Sequence, residues 1–221
     1  MSYDRLMEIY GLLFERFGRQ EWWPGDSRFE VIIGAILTQN TNWGNVEKAI
    51  GNLKKADCLS AAALFEMDIQ RLAELIRPAG YYNIKAGRLK SFLGWLNDNY
   101  GLDVDAMENL SVWEMREQLL GIKGIGRETA DSIVLYAYEK PTFVVDTYTC
   151  RILVRHGLID SECGYEQVKE FFESSLPNEV GLFNEFHALI VQTGKNYCKP
   201  KPKCEQCPLN SLPHEIEVEQ W

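Results

Sequence analysis

Three glycines fall within six residues in the stretch Leu119-Leu120-Gly121-Ile122-Lys123-Gly124-Ile125-Gly126-Arg127-Glu128-Thr129-Ala130. Glycine permits positive φ and close approach of the backbone to another group. Ile122 and Ile125 can plug such a turn into a core. A helix that starts after Gly126 then presents its unbonded N–H groups to an anion, with Lys123 and Arg127 flanking it. The stretch reads as a phosphate-gripping helix-turn-helix or as an ordinary tight connection between two helices. Twenty residues beyond Gly126 stands Asp146, in Phe143-Val144-Val145-Asp146-Thr147-Tyr148. An aspartate after three apolar residues and before a threonine can cap a helix. Capping and catalysis are compatible, because a carboxylate held at a helix start is oriented and kept ionised.

Two other groups of residues could do chemistry. Of the six cysteines, Cys58, Cys150 and Cys163 are scattered and read as reduced, partly buried thiols. Cys198, Cys204 and Cys207 are clustered, which in a cytosolic chain points to metal rather than to disulfides. Trp22 and Trp23 are adjacent and precede Pro24, and Trp43 follows. Adjacent side chains on a regular element point in different directions. One core face therefore cannot easily take both tryptophans, and they read either as core or as a stacking surface.

The elements that would position these residues are helical. Leu6, Ile9, Tyr10, Leu13, Phe14 and Phe17 repeat at three- and four-residue steps, an amphipathic helix. Ser27-Arg28-Phe29-Glu30 has the form of a capping box opening a helix through Leu37. Helices are expected over Trp43 to Lys55, Leu59 to Phe65, Ile69 to Ile76 and Ile84 to Leu96. A second capping box, Ser111 to Glu114, leads to Leu120. Thr129 to Tyr138, Thr147 to His156, Tyr165 to Ser174 and Val180 to Thr193 complete the set. No alternating strand pattern competes, so the expected fold class is all-α, with short loops.

Composition bounds the function. The chain has 221 residues, 46% hydrophobic and 25% charged, as in ordinary globular proteins. No apolar run reaches the roughly 18–20 residues of a membrane helix. Met1-Ser2-Tyr3-Asp4 lacks the basic start and apolar stretch of a secretory signal, so a cytoplasmic location is expected, with no membrane partner. The net charge of −9 counts against a nucleic-acid partner. Yet Lys195, Lys199, Lys201 and Lys203 lie close together, and an acidic protein can carry one basic face.

Taken in order, the hairpin with Gly-Ile-Gly, the Thr-Ala that follows and the later Val-Asp-Thr resemble the endonuclease III superfamily of DNA glycosylases. The likeness covers almost the whole chain. Ala35-Ile36-Leu37-Thr38-Gln39-Asn40-Thr41 resembles the helix and loop that carry that family's duplex-wedging glutamine, here Gln39. By this resemblance Asp146 is the catalytic aspartate, and Gly121, Lys123, Gly124, Gly126 and Arg127 belong to the DNA-gripping hairpin. The implied fold is a six-helix barrel domain over residues 27–160, with the hairpin near 119–131, and a second helical lobe. That lobe comprises residues 1–26 and 161–221, including a cysteine loop at 198–214, and DNA is expected in the cleft between the two. The partner is double-stranded DNA containing a damaged base, bound by a monomer. Cys198 to Cys207 falls where many members hold a [4Fe-4S] cluster.

Two departures sharpen the expectation. Members that also cut the strand carry a lysine directly before the hairpin's Thr-Ala, whose amine forms a Schiff base with the sugar. Here that position is Glu128, which also suits a first helical turn. Base hydrolysis by water, steered by Asp146 with no strand cutting, is the preferred reading. The carboxylate would also stabilise the cationic sugar. In the cysteine loop the fourth cysteine is missing. His214 stands near its place, as a ligand or as a surface residue. Lys199, Lys201 and Lys203 read as a basic finger on the DNA backbone.

Trp22-Trp23-Pro24, Leu37 to Thr41, Arg77-Pro78-Ala79-Gly80-Tyr81-Tyr82-Asn83 and Glu128 together resemble the 3-methyladenine DNA glycosylase III branch. The resemblance implies that Trp22, Trp23, Pro24, Trp43 and Lys195 line the pocket for the flipped base, with Glu128 nearby. Alkylated purines are cationic, and stacking one on an indole gains roughly 0.5–2 kcal/mol of cation–π energy. The expected function is therefore a monofunctional glycosylase for alkylated purines such as 3-methyladenine. The alternatives are a glycosylase for oxidised or mismatched bases, a helix-hairpin-helix DNA binder without chemistry, and a small helical metalloprotein unrelated to DNA.

Overall fold

The computed structural model describes residues 2–216. Among them the chain is all-helical, with eleven α-helices and no strand. No helix among the described residues is long and apolar enough to cross a membrane. The chain divides into two compact units, Trp23–Lys140 and Met1–Trp22 with Pro141–Trp221.

The contiguous unit is built around α2 (Arg28–Leu37), in which every residue from Phe29 to Leu37 is buried. A helix apolar on all faces belongs in the middle of a core. Around it pack α3 (Trp43–Lys55), α6 (Tyr82–Tyr100) and α8 (Arg127–Ser132) with the π-helical turn Ile133–Ala137 that continues it. The short α4 (Ala61–Glu66) and α5 (Ile69–Leu75) lie against α6, and α7 (Val112–Leu120) against α8. Caps stop and start these elements where polar residues allow. Ser111 and Glu114 form the expected capping box on α7. At α2 only half of the expected box forms. Ser27 accepts from the Glu30 N–H at 3.2 Å, but the buried Glu30 carboxylate reaches the Asp26 N–H and pairs with Lys54 at 2.8 Å instead. A buried carboxylate without a cation is costly, and α3 supplies that cation.

Lys85 of α6 is 1% exposed, and its ammonium donates to Leu37 O at 2.9 Å and Ala79 O at 2.6 Å. Leu37 ends α2 and Ala79 ends the 3-10 turn Arg77–Ala79, so one buried cation satisfies the carbonyl ends of two elements. Burial and the neighbouring Arg88 guanidinium lower the Lys85 pKa to about 8.

The other unit joins α1 (Ser2–Phe17) to α9 (Thr147–Arg155), α10 (Tyr165–Ser175) and α11 (Val180–Asn196). Its centre is aromatic. Phe143 and Phe172 stack with centroids 3.7 Å apart, and Phe183 and Phe186 meet Phe143 edge-on. All four are fully buried, each contributing roughly 1.5–3 kcal/mol of apolar burial. Residues 141–160, expected with the barrel, belong here, because α9 packs on α11 and Phe143 enters this core.

Candidate active site

The glycine turn joins α7 to α8 within the contiguous unit. Ile122 and Ile125 are buried, and the turn closes through Ile122 N–H to Leu119 O at 3.1 Å and Ile125 N–H to Ile122 O at 3.0 Å. Gly124 has φ +95°, and a Cβ there would lie 2.5 Å from Arg88 Cγ, so both backbone and packing demand glycine. Gly126 is different: it is extended, it caps α8, and a Cβ would meet nothing within 4 Å. Its lack of a side chain serves no internal packing and leaves the helix start open to an approaching group. Lys123 and Arg127 are exposed on either side, and Glu128 lies in the first turn of α8. Beneath the hairpin, Arg116 makes a two-pronged bond to the fully buried Asp131, at 2.8 and 3.3 Å, which ties α7 to α8.

Gln39 follows α2 and meets this turn. Its amide donates to Thr129 Oγ1 at 2.8 Å and Gly124 O at 3.2 Å, and its carbonyl accepts from Arg88. The tryptophans divide between the units. Trp23 stacks on Tyr136 with centroids 5.0 Å apart and meets Trp43 edge-on at 4.8 Å. Gly34 of α2 makes room, since a Cβ there would sit 3.3 Å from Trp23 Nε1 and 3.5 Å from Trp43. Pro24 is exposed beside them in sequence. Trp22 belongs to the other unit, where Lys195 Nζ lies 5.6 Å from its ring centroid, a cation–π contact. Tyr136 went unnoticed in the sequence because it reads as one more apolar residue of its helix. The π-helical turn Ile133–Ala137 carries it to Trp23.

In the two-segment unit Asp146 caps α9. Its Oδ1 accepts from the Thr149 N–H at 2.7 Å and the Thr149 hydroxyl at 2.8 Å. Oδ2 faces His187 Nε2 of α11 at 3.8 Å. The Asp146 side chain is 11% exposed, so the carboxylate is oriented and largely shielded from water. His187 is buried, and desolvation lowers its pKa against the opposing pull of Asp146. Burial likewise lowers the pKa of Lys195, about two turns further along α11, while Asp146 raises it. Gly194 lets α11 approach this point, since a Cβ would collide with the Tyr148 ring at 2.2 Å. His187 was missed in the sequence. Its signal was a lone imidazole inside an apolar helix, eight residues before Lys195. A carboxylate held in this way can steer water or stabilise a developing positive charge.

Cys198, Cys204, Cys207 and His214 line one cavity of this unit. Three thiols and an imidazole suit iron or zinc chemically. Among the described residues no group of three or more such side chains is drawn together closely enough to hold a metal ion. Arg155 enters the loop. Its Nη1 bonds Cys198 Sγ at 3.3 Å and Lys199 O at 2.7 Å, and its Nη2 bonds Pro200 O at 3.2 Å. Lys199, Lys201 and Lys203 are exposed along the loop.

Residues 33–178 match the family model of the HhH-GPD superfamily base excision DNA repair proteins. The chain is 45% identical over 212 residues to a protein of Methanocaldococcus jannaschii named for an inferred DNA repair glycosylase activity, covering 96% of each. It is similar to the crystal structure of the H. pylori 3-methyladenine DNA glycosylase bound to 1,N6-ethenoadenine. That likeness has a TM-score of 0.74 and 31% identity, over 88% of this chain and 97% of the other. An endonuclease III in a non-covalent DNA complex shares the fold, with a TM-score of 0.83 and 22% identity over 98% and 96% of the two chains.

Proposed function

This chain belongs to the HhH-GPD superfamily of base excision DNA repair proteins and is a DNA glycosylase, and we propose that it hydrolyses alkylated purines such as 3-methyladenine from duplex DNA without cutting the strand. The reading rests above all on Asp146, whose carboxylate is fixed by Thr149 and shielded from solvent. In the proposed reaction the C1′–N bond breaks with its electron pair leaving on the base, water adds to the sugar C1′, and the proton that the water gives up passes to Asp146 and on to solvent. Asp146 steers the water and stabilises the cationic sugar as it forms. Its oxygens are already oriented, so little reorganisation accompanies the step. An alkylated purine leaves as a neutral base, so a strong general acid is unnecessary.

The hairpin of Gly121, Lys123, Gly124, Gly126 and Arg127 is proposed to grip a backbone phosphate through the start of α8. Gln39 is proposed to fill the gap left by the flipped nucleotide. Trp23, Trp43 and Pro24, within the contiguous unit, are proposed to receive the base. Support comes from the Trp23–Trp43–Tyr136 cluster around Gly34, and from the likeness to the H. pylori enzyme with its bound etheno base. Glu128 supports hydrolysis without strand cutting, because a carboxylate cannot form a Schiff base. Lys199, Lys201 and Lys203 are proposed to meet the DNA backbone, one chain being sufficient for the reaction. No step is assigned to a metal. The test is incubation of the protein with alkylated genomic DNA and identification of the released bases. Free 3-methyladenine is expected. Release of oxidised pyrimidines or mismatched thymine in its place overturns the alkylpurine reading.

A further inference from the structure

We infer that Arg88 is a positioning residue for Gln39, fixing that side chain before DNA arrives and linking it to the hairpin turn. The inference rests on the proposed role of Gln39 in the duplex. A glutamine amide has two N–H donors and a carbonyl acceptor. Here the donors go to Thr129 Oγ1 at 2.8 Å and Gly124 O at 3.2 Å, and the carbonyl takes Arg88 Nη1. Only one orientation of the amide satisfies both sides, since Gly124 O can only accept and the guanidinium can only donate. Gln39 is thus held by three groups, on α6, the hairpin turn and α8, although it is half-exposed and follows the end of a helix.

Arg88 is itself fixed. Its stem lies against Gly124, where a Cβ would come within 2.5 Å of Cγ, 3.2 Å of Cδ and 3.3 Å of Cβ. One turn earlier on α6, Lys85 holds the carbonyl end of α2, from which Gln39 extends. Residues three apart on a helix share a face. One face of α6 therefore anchors the backbone before Gln39 through Lys85 and the side chain of Gln39 through Arg88. A free glutamine would lose its rotamer freedom on entering DNA. In this arrangement that loss has occurred in the folded protein. The Gly124 carbonyl that holds Gln39 belongs to the same turn that is proposed to grip phosphate, so a displaced hairpin displaces the probe.

The test uses the full chain and a duplex with a tetrahydrofuran abasic analogue next to 2-aminopurine, whose fluorescence rises on unstacking. Arg88→Met, Arg88→Lys, Gln39→Ala and the double variant Arg88→Met with Gln39→Ala are compared with the parent. The expected results for Arg88→Met are a roughly five- to tenfold slower unstacking rate and an unchanged slope of log Kd against log salt. Arg88→Lys is expected to recover part of the rate, and the double variant to match Gln39→Ala alone. Full activity of Arg88→Met alongside a slow Gln39→Ala overturns the inference and leaves the role of Gln39 standing. A salt slope smaller by about one also overturns it, because Arg88 would then be a phosphate contact. Parental unstacking by Gln39→Ala overturns the role of Gln39 and the inference with it.

Discussion

His187 Nε2 lies 3.8 Å from Asp146 Oδ2, so the candidate catalytic carboxylate is backed by an imidazole buried within α11. Burial holds that imidazole below its ordinary pKa of 6.5. The unfolded chain therefore binds the proton more readily, and the stability contributed is complete above pH 6.5 and is lost as pH falls below it. His156, whose pKa burial also lowers, acts in the same direction. Denaturant unfolding at pH 7.5 and 5.5 checks this. His187→Asn is expected to lose on the order of 1 kcal/mol less on acidification than the parent. An equal loss in both would mean that His187 titrates normally.

Strand cleavage is decided at Glu128. Abasic product should stay uncut until alkali or heat is applied, because the first turn of α8 offers a carboxylate where an amine is needed. Borohydride trapping of a covalent protein–DNA adduct would contradict this, and peptide mapping would then identify the amine.

The aromatic cluster predicts selectivity. Trp23→Ala and Trp43→Ala should each slow 3-methyladenine excision by about tenfold or more, through loss of roughly 1–3 kcal/mol of stacking and cation–π energy. Neutral bases should suffer less, since only stacking is lost. Single-turnover rates on both substrates are required, because slow product release would mask the difference. Equal losses on cationic and neutral lesions would make the tryptophans scaffold.

Arg155 predicts how the cysteine loop is held. Its guanidinium binds Cys198, Lys199 and Pro200, and its carbonyl accepts from the Glu215 N–H at 2.7 Å, so it ties both ends of the loop. Arg155→Met should expose Lys199, Lys201 and Lys203 to trypsin and destabilise the protein by roughly 2–4 kcal/mol, as loss of a buried hydrogen-bonded charge does. Parental digestion kinetics would show that the loop is anchored by other means.

Much of this was legible in the sequence, and what escaped it has a common cause. The capping box at Ser111, the cap at Asp146 and the plugs Ile122 and Ile125 are local, and local patterns survive in the chain's order. The partner of Glu30 is not legible locally, because the cation arrives from Lys54, on the next helix. The stack of Tyr136 on Trp23 and the bond of Arg88 to Gln39 join residues far apart in the chain and leave no periodic trace. The π-helical turn at Ile133–Ala137 is invisible to a 3.6-residue pattern, since its apolar residues fit an ordinary helix equally well. The assignment of 141–160 to the barrel failed to anticipate that Phe143 stacks on Phe172.

If the Asp146 carboxylate performs the chemistry, Asp146→Asn removes the reaction without removing the fold. Asparagine is as good a helix cap as aspartate, and its Oδ1 can still accept from the Thr149 N–H and hydroxyl. The fold and DNA binding should therefore persist while the negative charge is lost. Single-turnover release of 3-methyladenine from duplex DNA should fall by at least about a hundredfold, with affinity for a tetrahydrofuran duplex close to that of the parent. A variant that binds the duplex normally and releases base at the parental rate would place the chemistry on another residue.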